Sequence, residues 1–418
     1  MNRAREVRIE KLAPTGEGIA RTEDGVGFID RALPGERVAT TLYEMKKRFW
    51  RGTTDAVLEA SPDRAEGPHA GCAGCDWAHF EPAAARRAKA NLFLETMERI
   101  GRLERPSFGE PEVAASPPGY RLRTRLHADG GRIGYHAPGS HRIESAGSCE
   151  AIPAGTRALF PGIEDAVRAS GAAVSELAVL ETVDGARRLL RATAAPDAPA
   201  AARLGEALAA SFDGVRVETS DRRALVARGE RALPLVVGGR EFSISVDTFF
   251  QANRFLVPEL FADVASEARA VRAGGALDAF GGAGLFAGAL LEAGHRVQTV
   301  ESDAGAVADA RRARERWPDG VRWEIAPSTL ERFLEEDDRA FDAVVADPPR
   351  AGLGVDLARA LARRTRGRLI YVSCDPATLA RDLAAILPEG LAIRRVRLYD
   401  LFAYTHRVEA LVALERAA

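Results

Sequence analysis

Apolar and polar positions alternate over residues 7–12, 25–29, 36–44 and 50–59, with turn signals at Pro14-Thr15-Gly16, Glu23-Asp24-Gly25 and Leu33-Pro34-Gly35 between them. Short strands this closely spaced predict a small β-barrel of the OB type. A linker containing proline and glycine, 61–71, leads to Cys72-Ala73-Gly74-Cys75, and residues 82–103 then carry Leu92, Leu94, Met97 and Ile100 on a helical pattern. The middle third is less regular. Residues 120–127 and 132–135 read as strands, 154–170 and 200–211 as helices, and the Ala- and Pro-rich stretch 194–202 as a loop. From about Val236 strands and helices alternate: strands at 276–280, 296–300, 341–346 and 369–372, helices at 285–293, 307–316, 355–364 and 376–387, then strands at 393–399 and 408–414. This order predicts an α/β fold on a largely parallel sheet. The expected domains are 1–60, a barrel; 61–235, a central α+β domain; and 236–418, the α/β domain, on which the helix at 82–104 can pack.

Composition adds exclusions more than assignments. The chain has 418 residues, 28% of them charged, and a net charge of −2, so it is neither disordered overall nor a globally basic nucleic-acid coat. A local basic run does exist: Lys46-Lys47-Arg48-Phe49-Trp50-Arg51 joins cations to two aromatics, a mixture suited equally to phosphate contact with base stacking and to a solvated hairpin tip whose aromatics tuck into the barrel. No apolar run is long enough for a membrane helix, and residues 1–8 are charged rather than signal-like. Four cysteines argue against a secreted disulfide scaffold. A cytoplasmic protein without membrane contact is expected.

Four motifs carry chemistry. Leu277-Asp278-Ala279-Phe280-Gly281-Gly282-Ala283-Gly284 runs from a strand through a glycine loop into a helix, and Glu301 ends the next strand. Such a loop lets backbone approach a nucleoside, and the acid can accept from ribose hydroxyls. Gly282 to Ala287 also fits G-x-G-x-x-A, which keeps a nicotinamide oxidoreductase open. Asp347-Pro348-Pro349-Arg350 follows an apolar strand, and its two prolines stiffen a loop holding the Asp347 carboxylate at the strand's end. Ser373-Cys374-Asp375-Pro376 ends the next strand and starts a helix, a setting that favours a reactive thiolate at Cys374. Finally, Asp400 to Glu409 forms a polar loop entering the last strand, with Glu409 as a candidate general base.

Together with Phe249-Phe250-Gln251-Ala252-Asn253, these runs resemble the RNA 5-methyluridine methyltransferase family, most specifically through Ser373 to Asp382, the run Ser-Cys-Asp-Pro-x-Thr-x-x-Arg-Asp. The resemblance spans most of the chain. It implies a TRAM-like RNA-binding barrel at 1–60 and a class I, Rossmann-like methyltransferase domain at 236–418. It implies Cys374 as nucleophile, Glu409 as base, and Gln251, Phe280, Leu285, Glu301 and Asp347 around S-adenosylmethionine. It also implies an RNA partner, with ribosomal RNA favoured over transfer RNA by the TRAM-like domain, and a monomer.

The chain departs from the family at two places. The C-terminal motif usually reads Phe-Pro-x-Thr-x-His-x-Glu, whereas Ala403 and Arg407 stand at the proline and histidine positions. Many relatives bind an iron–sulfur cluster through Cys-x5-Cys-x2-Cys and a later cysteine. Cys72, Cys75 and Cys149 match the last three, Glu66 occupies the first, and His69 is the nearest substitute ligand. With Cys374 reserved for catalysis, a complete four-cysteine cluster is not expected. A three-cysteine zinc site or free thiols are the alternatives.

Carbon 5 of uracil is too weak a nucleophile to take a methyl group from a sulfonium directly. The expected mechanism is thiolate addition at carbon 6, which makes carbon 5 enolate-like, followed by proton removal and thiol elimination. A paired uridine is out of reach, so the target is single-stranded or flipped out. Cytosine carbon-5 methylation is the chemical rival; RNA enzymes of that type usually carry a second cysteine where Pro349 stands. A non-catalytic RNA-binding protein is the third class, opposed by the presence of both Cys374 and Glu409.

Overall fold

The computed structural model describes residues 4–67, 69, 72–104, 109–137 and 140–417. Strands β1 (Ala4–Arg8), β2 (Lys11–Leu12), β3 (Gly18–Thr22), β4 (Gly25–Asp30), β5 (Arg37–Met45) and β6 (Phe49–Glu59) form one sheet in the order β1-β5-β6-β4-β3-β2. Its inward face buries Val7, Ile9, Ala20, Ile29, Val38, Leu42 and Trp50. The expected strand at 7–12 is two strands, because the chain turns at Ile9 and Glu10. Gly18–Thr22, which alternates too briefly to be noticed, is a third. Trp50 decides between the two readings of the basic run for its own side chain: the indole is fully buried and donates to Thr22 Oγ1 at 3.2 Å, so it supports the barrel and offers no face for a base.

Helix α1 (Pro82–Thr96) begins at Glu81, whose side chain accepts from the Ala84 amide, and widens into a π-type turn over Met97–Gly101. Phe93, Leu94 and Met97 pack into the same core as the last helices of the chain. Lys89, fully buried on this helix, forms an ion pair with Asp400 and donates to the Phe402 carbonyl at 3.3 Å.

Strand β7 (Val113–Ala114) crosses to the last sheet. Strands β8 (Arg123–Asp129), β9 (Arg132–His136), β10 (Ile143–Ser145), β11 (Val174–Glu181), β12 (Arg188–Ala194), β13 (Gly214–Glu218) and β14 (Ala224–Gly229) make a seven-stranded central sheet, order β10-β9-β8-β11-β12-β13-β14. Helices α2 (Ala154–Arg157), α3 (Phe160–Ser170) and α4 (Ala198–Leu208) accompany it. The expected loop at 194–202 is only half correct. Asp197 caps α4 and proline occupies the first turn, where its missing N–H costs nothing.

After the hairpin β15 (Ala232–Val237) and β16 (Arg240–Ser245) and helix α5 (Val257–Arg269), the α/β region follows. Its elements are β17 (Gly275–Ala279), α6 (Leu285–Glu292), β18 (Arg296–Glu301), α7 (Ala304–Arg316), β19 (Trp323–Pro327), α8 (Leu330–Glu336), β20 (Phe341–Ala346), α9 (Val355–Arg364), β21 (Thr365–Ser373), α10 (Pro376–Ile386), β22 (Leu391–Tyr399) and β23 (Glu409–Arg416). The sheet runs β19-β18-β17-β20-β21-β23-β22-β7. β17 to β21 are parallel, and β23 is antiparallel to both β21 and β22. The strand order reverses between β17 and β20, and ligands bind outside the carboxyl ends of strands at such a crevice.

Candidate active site

Five chain segments converge on that carboxyl edge. β17 ends at Ala279, and Phe280 takes a left-handed backbone, φ 64°, which a bulky side chain adopts only under constraint. Gly281, Gly282 and Gly284 then turn the chain into α6, at whose first position Leu285 is buried. Gly284 has φ 92°, and a side chain there would strike the Trp323 ring, so the tight turn requires glycine. Glu301, at the end of β18, braces the loop: Oε2 accepts from the Gly282 amide at 2.9 Å and Oε1 from the Asp303 amide at 2.6 Å. Each oxygen keeps a further lone pair for a ligand hydroxyl.

Asp347 follows β20 and accepts from the buried Gln251 Nε2 at 3.0 Å. Burial raises its carboxyl to about 7, and the Gln251 hydrogen bond opposes that rise. Asp278, buried at the end of β17, is likewise pushed to about 7, and its Oδ1 has no partner. A left-handed turn, a braced glycine loop and acids aimed into one crevice suit S-adenosylmethionine, which brings ribose hydroxyls and a cationic sulfonium.

Cys374 and Glu409 meet because of strand direction. β21 and β23 are antiparallel with Ser373 opposite Ala410, so the residue leaving β21 and the residue entering β23 lie at the same edge. Glu409 is 1% exposed, its Oε1 has no hydrogen-bond partner, and burial together with the Asp347 charge holds its carboxyl well above the ordinary range. Cys374 is half-buried. Burial, then the charges of Glu409 and Asp347, push its thiol up to about 11, while Arg350 opposes them. This corrects the expectation of a resting thiolate. The start of α10 is occupied by the Asp375 carboxylate, which takes the Ala377 and Thr378 amides at 2.9 and 3.0 Å and adds negative charge beside the thiol.

The rest of the Ser373–Asp382 run has a structural task that the sequence did not reveal. Asp382 accepts from the Leu353 amide at 2.7 Å, the Gly354 amide at 3.2 Å and the Tyr371 hydroxyl at 2.7 Å. Thr378 Oγ1 donates to the Arg350 carbonyl at 3.2 Å, and Arg381 donates to the Ala351 carbonyl at 2.8 Å. Helix α10 thus tethers the loop that carries Asp347. Asn253 is also structural: fully buried, it donates to Ser116 Oγ and the Leu401 carbonyl and accepts the Phe255 and Leu256 amides. Phe249, beside the glycine loop, is 64% exposed and free to meet a base.

The three remaining cysteines gather elsewhere. Cys72, Cys75 and Cys149 are buried, and together with His69 they bring one ligand atom each within 4.8 Å of one another. Glu66, at the family's first cysteine position, is exposed and lies outside this group. The donors therefore suit a metal but do not supply the four thiolates of the family's cluster. The loop before Glu409 closes against this corner. Tyr404 packs edge-on against His69 at 4.3 Å, the Trp77 amide donates to the Tyr404 carbonyl at 3.0 Å, and His406 pairs with Asp76.

Comparison with known proteins agrees along the whole chain. The TRAM domain profile matches residues 2–54, and the tRNA (Uracil-5-)-methyltransferase profile matches residues 329–417. An uncharacterized RNA methyltransferase of Streptomyces avermitilis is 32% identical, covering 99% of this chain and 98% of its own. One from Corynebacterium diphtheriae is 30% identical, covering 98% and 96%. The crystal structure of the Pyrococcus abyssi tRNA (uracil-54, C5)-methyltransferase in complex with S-adenosyl-L-homocysteine superposes with a TM-score of 0.78, over 98% of this chain and 99% of that one, at 22% identity.

Proposed function

The chain belongs to the S-adenosylmethionine-dependent RNA uracil-5 methyltransferase family, and from that premise we propose that it forms 5-methyluridine in RNA through a covalent Cys374 adduct. The observation that carries this reading is the meeting of Cys374 and Glu409 at the sheet edge beside Asp347 and the glycine loop.

Gln251, Phe280, Leu285, Glu301 and Asp347 hold S-adenosylmethionine, which supplies an electrophilic methyl group. Cys374, half-buried and reached by solvent, loses its proton to water and adds to carbon 6 of a flipped-out uracil; the ring electrons move toward oxygen 4, so carbon 5 becomes nucleophilic. Carbon 5 takes the methyl as the methyl–sulfur bond breaks and S-adenosylhomocysteine is released; Glu409 then removes the carbon 5 proton, the carbon 5–carbon 6 double bond returns, and the thiolate leaves. The raised proton affinity of Glu409 suits a base that works in a dry pocket. The neutral resting thiol has a matching logic: a charged one would be unsolvated among three carboxyl groups until a substrate arrives. Phe249, exposed at the mouth, stacks on RNA, and Lys46, Lys47 and Arg48, all exposed, contact phosphates.

Ribosomal RNA is the expected target, and transfer RNA is the second reading. The latter is favoured because the Pyrococcus abyssi tRNA enzyme superposes over 98% of this chain, barrel included, so a barrel does not by itself select ribosomal RNA. Among the described residues no helix is long and apolar enough to cross a membrane, and an RNA substrate with reduced thiols fits a monomeric cytoplasmic enzyme. Mapping 5-methyluridine in ribosomal and transfer RNA from a deletion strain is the test. Loss from one fraction, restored by the wild-type gene and not by Cys374→Ala, supports the reading. No change in either fraction contradicts it.

A further inference from the structure

We propose that His69, Cys72, Cys75 and Cys149 bind one tetrahedral zinc ion, in place of the four-thiolate iron–sulfur cluster of the family pattern, and that this ion clamps the loop leading to Glu409. The donor set is built for a point. Consecutive turns, with the Cys72 amide donating to the His69 carbonyl at 2.8 Å and the Cys75 amide to the Cys72 carbonyl at 3.3 Å, bring three donors inward within seven residues. Cys149 arrives on a separate turn, its amide donating to the Ala146 carbonyl at 3.0 Å.

Spacing separates an ion from a cluster. Cys75 Sγ and Cys149 Sγ are 3.8 Å apart, and all four donor atoms lie within 4.8 Å. Zinc–sulfur bonds of about 2.3 Å at tetrahedral angles put two sulfurs about 3.8 Å apart. A four-iron cube interposes its own metal–sulfide core and holds its thiolates further from one another. The cavity is also closed. A side chain at Gly74 would overlap the Tyr135 ring, which lies across the turn, and the residues of the site are at most 6% exposed.

Two buried groups at this corner carry an unpaired nitrogen. His69 is 94% buried; its Nδ1 accepts from the Glu150 amide at 3.1 Å, and its Nε2 has no partner. Because Nδ1 accepts that amide, the proton of a neutral His69 sits on Nε2; a zinc ion takes the Nδ1 lone pair in place of the Glu150 amide and leaves the imidazole neutral. Arg121 stands close enough for its charge to act on Cys75 and Cys149, and its Nε is buried without a partner. Zinc with three thiolates and a neutral imidazole carries one net negative charge, which a single arginine balances.

The clamp follows from what touches the ligands. Tyr404, with a left-handed φ of 66°, packs on His69 and donates its hydroxyl to Glu150 at 3.2 Å, next to Cys149. Asp76, next to Cys75, holds both the His406 amide and ring. Two ligands thus grip the segment 404–406, three residues before Glu409. Zinc here positions; it does not touch the substrate.

The test uses the full chain purified without oxygen. Elemental and sulfide analysis is expected to give one zinc per chain and no acid-labile sulfide. Replacing zinc by Co2+ is expected to give the visible spectrum of tetrahedral cobalt with thiolate charge transfer. His69→Ala should weaken zinc in chelator competition by roughly a hundredfold or more, since even groups behind the ligands contribute ten- to a hundredfold. His69→Cys should retain one Co2+ and gain thiolate charge-transfer intensity, so a folding defect in the alanine variant does not decide the matter. Four irons and four sulfides per chain would overturn the proposal, and so would a reduced protein that neither carries nor takes up Zn2+ or Co2+. For the clamp, chelated protein should keep S-adenosylmethionine affinity while proteolysis near residues 400–406 accelerates. Unchanged proteolysis would refute that part alone.

Discussion

The same residue type keeps different company at two sites of this molecule. At the sheet edge, Cys374 is solitary, half-buried and faced by Glu409 and Asp347. At the His69 corner, three cysteines are buried together, 3.8 Å apart at the Cys75–Cys149 pair, with no carboxylate in the set. A thiol meant to attack a substrate needs space in front of it and a base beside it. Thiols meant to hold an ion need each other. What distinguishes them is the company of each sulfur more than its burial.

The largest effect should come from breaking the reactive side of this contrast. Cys374→Ala should abolish methyl transfer while S-adenosylmethionine binding, measured calorimetrically, stays within about twofold, because the thiol acts only on the uracil ring. Cys149→Ser should lose metal and stability but keep measurable turnover. If both variants lose all turnover and both still fold, the division of labour is wrong.

Glu409→Gln comes next. Turnover should fall by roughly 10²- to 10⁴-fold, the usual worth of a positioned base, while a protein–RNA adduct accumulates on denaturing gels. Loss of turnover with no adduct would return Glu409 to a buried structural acid.

Lys89→Met sharpens the contrast from the scaffold side, because Lys89 fixes the front of the loop at Asp400 while the metal corner fixes its back. Leaving Asp400 buried and unpaired should cost about 3–5 kcal/mol in denaturant unfolding. A cost below about 1 kcal/mol would mean the pair is dispensable.

The acid limb of the pH profile should be steeper and higher than an exposed thiol would give. Burial raises both Cys374, to about 11, and Glu409, and both must be ionised to act, so turnover should climb by between about tenfold and about a hundredfold per pH unit from 6 to 9, according to whether one or both are still protonated, without a falling limb. A plateau by pH 7 would show that the bound substrate removes the cost of ionising the thiol.

The smallest effect belongs to the barrel. Replacing Lys46, Lys47 and Arg48 by alanine should reduce the slope of log affinity against log salt by up to about 2 for single-stranded RNA, and leave S-adenosylmethionine binding untouched. An unchanged slope would put the RNA surface elsewhere.

The sheet edge was legible in sequence because its chemistry sits in short runs: a glycine loop, Asp347-Pro348-Pro349, Ser373-Cys374-Asp375-Pro376. Each lies at the end of an apolar strand, where α/β folds put their sites. The protonation state of Cys374 was not legible, since it depends on Glu409, brought back by an antiparallel strand 35 residues later. Nor was the role of Asp382, whose partners are the backbone amides of a loop 28 and 29 residues upstream. At the other site, the cysteine spacing pointed to a ligand set with its first member missing. Only three-dimensional placement shows His69 filling the position and Glu66 turned to solvent. Trp50 stayed open for a related reason: an aromatic in a basic run reads the same whether it faces RNA or a barrel core, and neighbours in space decide. Strand β19 was overlooked because its five residues show no sustained alternation, and helix α5 was overlooked although Val257, Leu260, Phe261, Val264, Ala265 and Ala268 recur at helical spacing.

The central claim is that Cys374 forms a covalent bond to carbon 6 of a uracil in RNA. A 5-fluorouridine RNA tests it most directly, since fluorine cannot leave as a cation and the adduct cannot resolve. Incubated with S-adenosylmethionine, wild-type protein should gain the mass of one RNA, and digestion should locate the bond to the peptide carrying Cys374, with the methyl group on the same nucleotide. Cys374→Ala should form no adduct, and Cys149→Ser should still form one. An adduct that maps to another residue, or that persists in Cys374→Ala, would contradict the account.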